Sequence, residues 1–92
     1  MPSTRRPSPE IAFGRELRNL RLKRKISQEE LGARSGYHRT YIGQLERGEK
    51  SPSLRTLFDL AATLGVLPST LVRTIEKAIR LAQDSRGRLS LH

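Results

Sequence analysis

Between Ile26 and Pro52 the chain reads ISQEELGARSGYHRTYIGQLERGEKSP, and this stretch limits the possible folds more than any other. Ser27 followed three residues later by Glu30 is the capping-box pattern, in which two side chains satisfy unpaired amides of a helix's first turn. The helix it opens spans roughly Gln28–Ser35 and stops at Gly36, because the left-handed turn that ends many helices is costly for residues with a Cβ. Another short helix follows over about Arg39–Arg47, with Ile42 and Leu45 inward, and Gly48 ends it. Two short helices joined this tightly cross steeply, and Gly32 supplies the small residue their crossing needs.

The flanks continue in helical period. Ser8-Pro9-Glu10 reads as a cap with proline at the first helical position, opening a helix that runs to about Lys25. Phe13, Leu17 and Leu20 share one face of it, with Arg21 beside them. Ser51-Pro52-Ser53 is a second cap-like entry; the helix after it is expected to bury Leu54, Leu57, Phe58, Ala61 and Leu64 and to close at Gly65. Pro68-Ser69 opens a fifth helix reaching about Gln83. No stretch alternates as a strand would, and no internal repeat is present, so the expected fold is all-α. The domain is expected over residues 10–84, with a flexible basic arm over 1–9 and a flexible tail over 85–92.

Ninety-two residues make one small core, and pairing with a second copy is a route to extra stability. On the fifth helix Leu71, Ile75, Ala78 and Ala82 form a narrow apolar seam, flanked by Val72 and Ile79. Leu71 reads as a cap on the domain's own core. The rest exceeds what a four-helix core can cover, so the expected dimer interface is Ile75, Ala78, Ile79 and Ala82, together with Leu71 where the seam meets the core.

Charge narrows the partner. Eighteen Lys and Arg against nine Asp and Glu give a net +9, which points to a polyanion. Residues 1–25 hold eight basic and two acidic side chains, a net of +6, whereas residues 26–52 hold four of each. The flanks therefore supply attraction, leaving the central motif free to discriminate. No apolar run approaches the ~20 residues of a membrane-spanning helix, and the polar start MPSTRRPSPE lacks the apolar core of a signal peptide. The absence of cysteine excludes disulfides and thiolate metal sites and fits a cytoplasmic protein. Two histidines, with no carboxylate pair set against either, offer no catalytic or metal constellation; no enzyme activity, metal or cofactor is expected.

Counted from Gln28, Leu31 stands at place four, Gly36 at nine, Ile42 at fifteen and Leu45 at eighteen. With SQEEL before it and LERGEKSPSLRTLFDLAATLGV after it, this pattern closely resembles the Cro/CI-type helix-turn-helix family of phage and bacterial regulators over about Phe13–Leu71. The sequence departs from that family at Gly32, Ser35 and Tyr37, which bear on local packing. The resemblance implies a five-helix lambda-repressor-like domain that lays its third helix in the major groove of double-stranded DNA. It implies base reading by Arg39, Thr40 and Gln44, with His38 at the cap either a reader or a cap alone. An arginine can donate two hydrogen bonds to guanine, and a glutamine can pair with the adenine edge. Gln28 looks like the family's phosphate-contacting glutamine, at a helix end whose dipole favours anions. Tyr41, Arg47 and Lys50 are further candidate backbone contacts, and Tyr41 is equally readable as a half-buried neighbour of the second helix. Gly43, between Arg39 and Gln44, leaves room for close approach or for a thymine methyl and reads nothing itself. Arg21 and Glu46 occupy positions the family joins in a partly buried salt bridge and are assigned to structure.

The implied function is a transcriptional regulator, a repressor, acting as a homodimer on an inverted repeat. A restriction–modification controller, an antitoxin with a toxin partner, and a helical protein-interaction module are the alternatives. Arg5 and Arg6, held extended between prolines, either enter a narrow A·T-rich minor groove or form a leader with no energetic role.

Overall fold

The computed structural model of the chain describes residues 8–87. The basic arm with Arg5 and Arg6, apart from its last residues Ser8 and Pro9, and the end of the tail lie outside the described residues. Five helices follow one another: α1 (Pro9–Lys23), α2 (Gln28–Ser35), α3 (Arg39–Glu46), α4 (Leu54–Leu64) and α5 (Pro68–Gly87). No strand occurs among the described residues.

Side-chain caps start four of the helices. Ser8, Ser27, His38 and Ser53 each accept a backbone N–H from the first turn that follows. Only half of the expected capping box forms: Ser27 Oγ accepts from the Glu30 N–H at 2.9 Å, while the Glu30 carboxylate turns to Arg34 one turn on. Gly36 takes the left-handed conformation, φ +88°, and returns its N–H to the Gly32 carbonyl at 2.8 Å. At Gly32 itself a Cβ would stand 2.3 Å from the Tyr37 carbonyl oxygen, so this crossing admits no side chain. α1 ends at Lys23, short of the expected Lys25, because Lys25 turns left-handed at φ +58°.

One core joins all five helices. Phe13, Leu17 and Leu20 of α1 meet Leu31 of α2, Ile42 and Leu45 of α3, Leu60, Ala61 and Leu64 of α4, and Leu71 of α5, with Ile26 from the α1–α2 turn. α4 departs from expectation. Leu54 and Phe58 are 75% and 52% exposed, Leu57 is half-buried, and Leu60, absent from the expected set, is fully buried. Two overlapping apolar stripes run along this helix, and apolar spacing alone does not choose between them. The stripe through Leu57, Leu60, Ala61 and Leu64 wins because Thr56 can occupy the inner edge at the helix start. Its N–H donates to Ser53 Oγ at 3.0 Å, and the two hydroxyls hydrogen-bond at 2.9 Å.

α5 lies along α1 and continues to Gly87, past the expected end near Gln83. Leu71 is 1% exposed and belongs wholly to the core, so it is no surface residue. Ile75 packs half-buried against that core. Ile79 and Ala82 are half-buried and Ala78 exposed along an open groove of about 390 Å³ shared with Ile11, Ala12 and Arg15 of α1. The expected dimer seam thus faces α1 over much of its length.

Candidate nucleic-acid interface

α3 presents its polar arc away from the core. At 100° per residue, Arg39, Thr40, Gly43, Gln44 and Arg47 fall within roughly 140° of one another, while Ile42 and Leu45 point the opposite way. Arg39, Thr40 and Arg47 are exposed and Gln44 is half-buried. Lys50 stands exposed in the loop that follows. The structure therefore brings Arg39, Thr40, Gln44 and Arg47 to one side of α3 as an extended polar edge, with Lys50 exposed three residues beyond it.

His38 sits at the head of this edge and works as a cap: its Nδ1 accepts the Thr40 N–H at 3.0 Å. Tyr41 turns to the flank, half-buried, its ring 5.6 Å from that of Tyr37. Tyr37 in turn donates to Asp59 of α4 at 2.7 Å, which raises its phenol above the ordinary range and ties the α2–α3 turn to α4.

Behind the edge lies a buried polar network. Arg21 donates from Nε to Glu46 Oε2 at 2.6 Å, from Nη2 to Oε1 at 3.0 Å, and from Nη1 to the Ile26 carbonyl at 3.0 Å. The side chains are 9% and 3% exposed. The hydrogen bond to Glu46 holds the Arg21 guanidinium above its usual range, against the opposing pull of desolvation. Gln28 Nε2 donates to the same Glu46 at 3.0 Å. The carboxylate that neutralises Arg21 therefore also orients Gln28, leaving one amide hydrogen of Gln28 available to a phosphate. Among the described residues no buried side-chain polar atom lacks a partner.

Gly43 is not the open notch expected from sequence. It is buried, roofed by the ends of Arg47 and Gln28: a Cβ there would lie 3.1 Å from Arg47 Nη1 and 3.5 Å from Gln28 Oε1. Its lack of a side chain gives these two candidate phosphate contacts their resting place across α3.

Two carboxylates on the edge escaped the sequence reading. Glu29 lies 3.8 Å from Arg39, and Glu49 accepts from Arg47 Nε at 2.7 Å. That hydrogen bond holds Arg47 above and Glu49 below their ordinary ranges. Glu49 was legible as a charge two residues beyond Arg47. Glu29 was not, since its pairing with Arg39 joins two helices and leaves no periodicity in the sequence. The edge accordingly pairs much of its own charge.

A tight helix–glycine–helix unit whose second helix turns hydrogen-bonding side chains outward, over a carboxylate that fixes its neighbours, defines a helix-turn-helix DNA-binding domain. The helix-turn-helix family model matches residues 17–71. The chain is 42% identical over 59 residues to an uncharacterized HTH-type transcriptional regulator, y4dJ, of Sinorhizobium fredii, spanning 64% of this chain and 77% of that one. It is 40% identical over 63 residues to the control protein C.BamHI of Bacillus amyloliquefaciens, spanning 67% of this chain and 78% of the relative. The restriction-modification controller protein C.AhdI of Aeromonas hydrophila superimposes with a TM-score of 0.68 at 38% identity, over 71% of this chain and 98% of that structure. ClgR of Corynebacterium glutamicum shares the fold at a TM-score of 0.81 and 24% identity, over 89% and 87% of the two chains. The chain belongs to the Cro/CI-type helix-turn-helix family of DNA-binding transcriptional regulators.

Proposed function

We propose that two copies of this protein bind a short inverted-repeat operator and repress transcription from it, a binding role with no catalysis, carried out on the nucleoid in the cytoplasm. The supporting observation is the outward row Arg39–Thr40–Gln44 on α3, set between Gln28 and Arg47. Arg39 and Gln44 have the donor geometry to read guanine and adenine edges, and Thr40 suits either a base edge or a phosphate. Gln28, Arg47, Lys50 and, at the flank, Tyr41 hold the backbone; His38 serves the row as its cap.

One such domain reaches too few base pairs to single out a genomic site among ~10⁶ or more competitors, and two-fold pairing doubles the site read. Selection of bound duplexes from a random pool, followed by footprinting, tests this. The expected product is an inverted repeat whose half-sites lie about one helical turn, ~34 Å, apart. A footprint confined to one half-site, with a monomer in sedimentation at binding concentrations, overturns it.

The similarity to C.BamHI and C.AhdI favours control of a restriction–modification operon over partnership with a toxin. A methyltransferase or endonuclease gene beside the coding sequence supports that reading; a toxin gene there contradicts it.

A further inference from the structure

The turn that ends α3 sets an acid, Glu49, between two cations, Arg47 and Lys50. Gly48 takes the left-handed conformation there, φ +74°. Its N–H reaches the Leu45 carbonyl at 3.1 Å, and the Glu49 N–H reaches the Gln44 carbonyl at 2.9 Å. A Cβ at Gly48 would stand 2.7 Å from Ile11 Cγ1 and 3.1 Å from Ile11 Cα, so α1 backs this turn closely. The Glu49 side chain therefore leaves a fixed backbone.

Its carboxylate takes one flank of the Arg47 guanidinium. Nε donates to Oε2 at 2.7 Å and Nη2 to Oε1 at 3.4 Å. Nη1 is taken by neither oxygen and lies across α3, 3.1 Å from the place a Gly43 Cβ would occupy. Gln28 Oε1 and Nε2 stand 3.5 Å and 3.8 Å from that same place. Donors from α2 and from the end of α3 thus converge over Gly43, close enough for a single phosphate group to accept from both. Glu46 orients the first donor through its hydrogen bond to Gln28, and Glu49 flanks the second.

The two carboxylates differ in what else they do. Glu46 is buried against Arg21, whereas Glu49 is 51% exposed, and an exposed pair of this kind contributes little to folding. Close to a polyanion its charge opposes binding. What Glu49 supplies is direction, because an arginine held at Nε and Nη2 no longer samples its many rotamers. Arg39 is not held in this way: its carboxylate neighbour, Glu29, lies at 3.8 Å, beyond hydrogen-bond reach.

We propose that Glu49 is a positioning residue for DNA holding, fixing Arg47 across α3 so that Arg47 Nη1 and the free amide hydrogen of Gln28 form one clamp for a DNA phosphate. Glu49 itself does not touch DNA. The inference rests on the reading that α3 faces DNA, and it adds to that reading a residue outside both the base-reading row and the backbone contacts.

Two substitutions of equal charge test it, with affinity for a labelled duplex as the readout. Glu49→Gln and Glu49→Ala each remove one negative charge, so both lose the same repulsion from phosphate. Only glutamine keeps a side-chain oxygen that accepts from Arg47 Nε. Glu49→Ala is expected to bind any duplex about two- to fivefold more weakly than Glu49→Gln, the ratio that corresponds to one exposed pair. With Arg47→Met in place, the glutamine and alanine variants are expected to bind equally. Thermal melting is the control for folding, and the two Glu49 variants are expected to melt together.

Equal binding by the two variants beside an intact Arg47 overturns the proposal, as does a difference that persists in the Arg47→Met background. A difference confined to the selected operator and absent on unrelated duplexes also overturns it, since Glu49 would then belong to base reading. Holding is independent of sequence, so the comparison decides even where no operator is selected. That failure would overturn the inverted-repeat reading while the ratio of the two variants still stood.

Discussion

α3 and α4 bury one side in the same core, yet different forces fix how each is rotated. α3 is held by direction. Glu46 on its inner edge accepts two hydrogen bonds from Arg21 and one from Gln28, and such bonds fail when a helix turns by a fraction of its period. α4 is held mainly by volume, through Leu60, Ala61 and Leu64. Its polar ties, from Tyr37 to Asp59 and from Arg24 to the Leu64 carbonyl, sit near the surface. Apolar burial has no preferred direction, so it settles rotation only through shape. The helix that carries the candidate reading row is keyed by polar contacts. The helix that chiefly closes the core keeps a spare apolar face.

Glu46→Ala is the most severe way to break that difference. It leaves the Arg21 guanidinium buried without its carboxylate, at a cost of about 3–5 kcal/mol, measurable by chemical denaturation. Replacing both partners, Arg21→Met with Glu46→Leu, is expected to recover most of that stability, because a packed apolar pair can stand in for a buried ion pair. It is not expected to recover full DNA affinity, since Gln28 still lacks its acceptor. Full recovery of both would mean that the network serves packing alone.

Next in size is a paired test of α4. Leu60→Ala removes a fully buried side chain and is expected to cost about 2–5 kcal/mol. Leu54→Ala, on the exposed stripe, is expected to change monomer stability by no more than about 0.5 kcal/mol. Similar losses at the two positions would place α4 in the other rotational setting.

The same contrast explains what could be read in advance. Ser27, Gly36 and the spacing of Leu31, Ile42 and Leu45 each carry a local physical requirement, so the turn and its two helices were legible. On α4, apolar residues cover more than one face, and local rules cannot say which face meets Leu17 and Leu31. The inward place of Leu60 emerges only from the assembled core. On the candidate DNA edge, the residue types and spacing of Arg39, Thr40 and Gln44 mark them as candidates, and their outward place on α3 was legible from the helical period. The counter-charges Glu29 and Glu49, and the roofing of Gly43 by Gln28 and Arg47, depend on side-chain reach between elements. Spacing in a sequence does not record that reach.

A milder perturbation separates reading from holding along the polar edge. Arg39→Ala is expected to lower operator affinity by ~1–3 kcal/mol and to relax preference at one base pair, with thermal stability unchanged because its pairing with Glu29 is exposed. Lys50→Ala should weaken all duplexes alike and reduce the slope of log affinity against log salt by about one. Binding matrices for both variants decide the matter. Equal flattening would make Arg39 a phosphate contact.

The smallest expected effect falls at Gly43, where the two ways of holding a helix can be set against each other in one residue. Alanine inside a helix is favoured over glycine by roughly 0.8–1 kcal/mol, so Gly43→Ala should raise stability by up to that amount. The added methyl meets the far end of Arg47 at 3.1 Å, and that flexible guanidinium can swing aside without disturbing the backbone. Once displaced, Arg47 no longer rests across α3 beside Gln28, so DNA affinity should fall on every sequence while the base preference of the Arg39–Gln44 row persists. Thermal melting and a salt-dependent binding series read the two effects separately. A variant that melts higher and binds DNA as before would show that the resting place of Arg47 has no part in holding the backbone. A variant that melts lower would show that Arg47 cannot yield, and that α3 is keyed on its outer side as firmly as on its inner one.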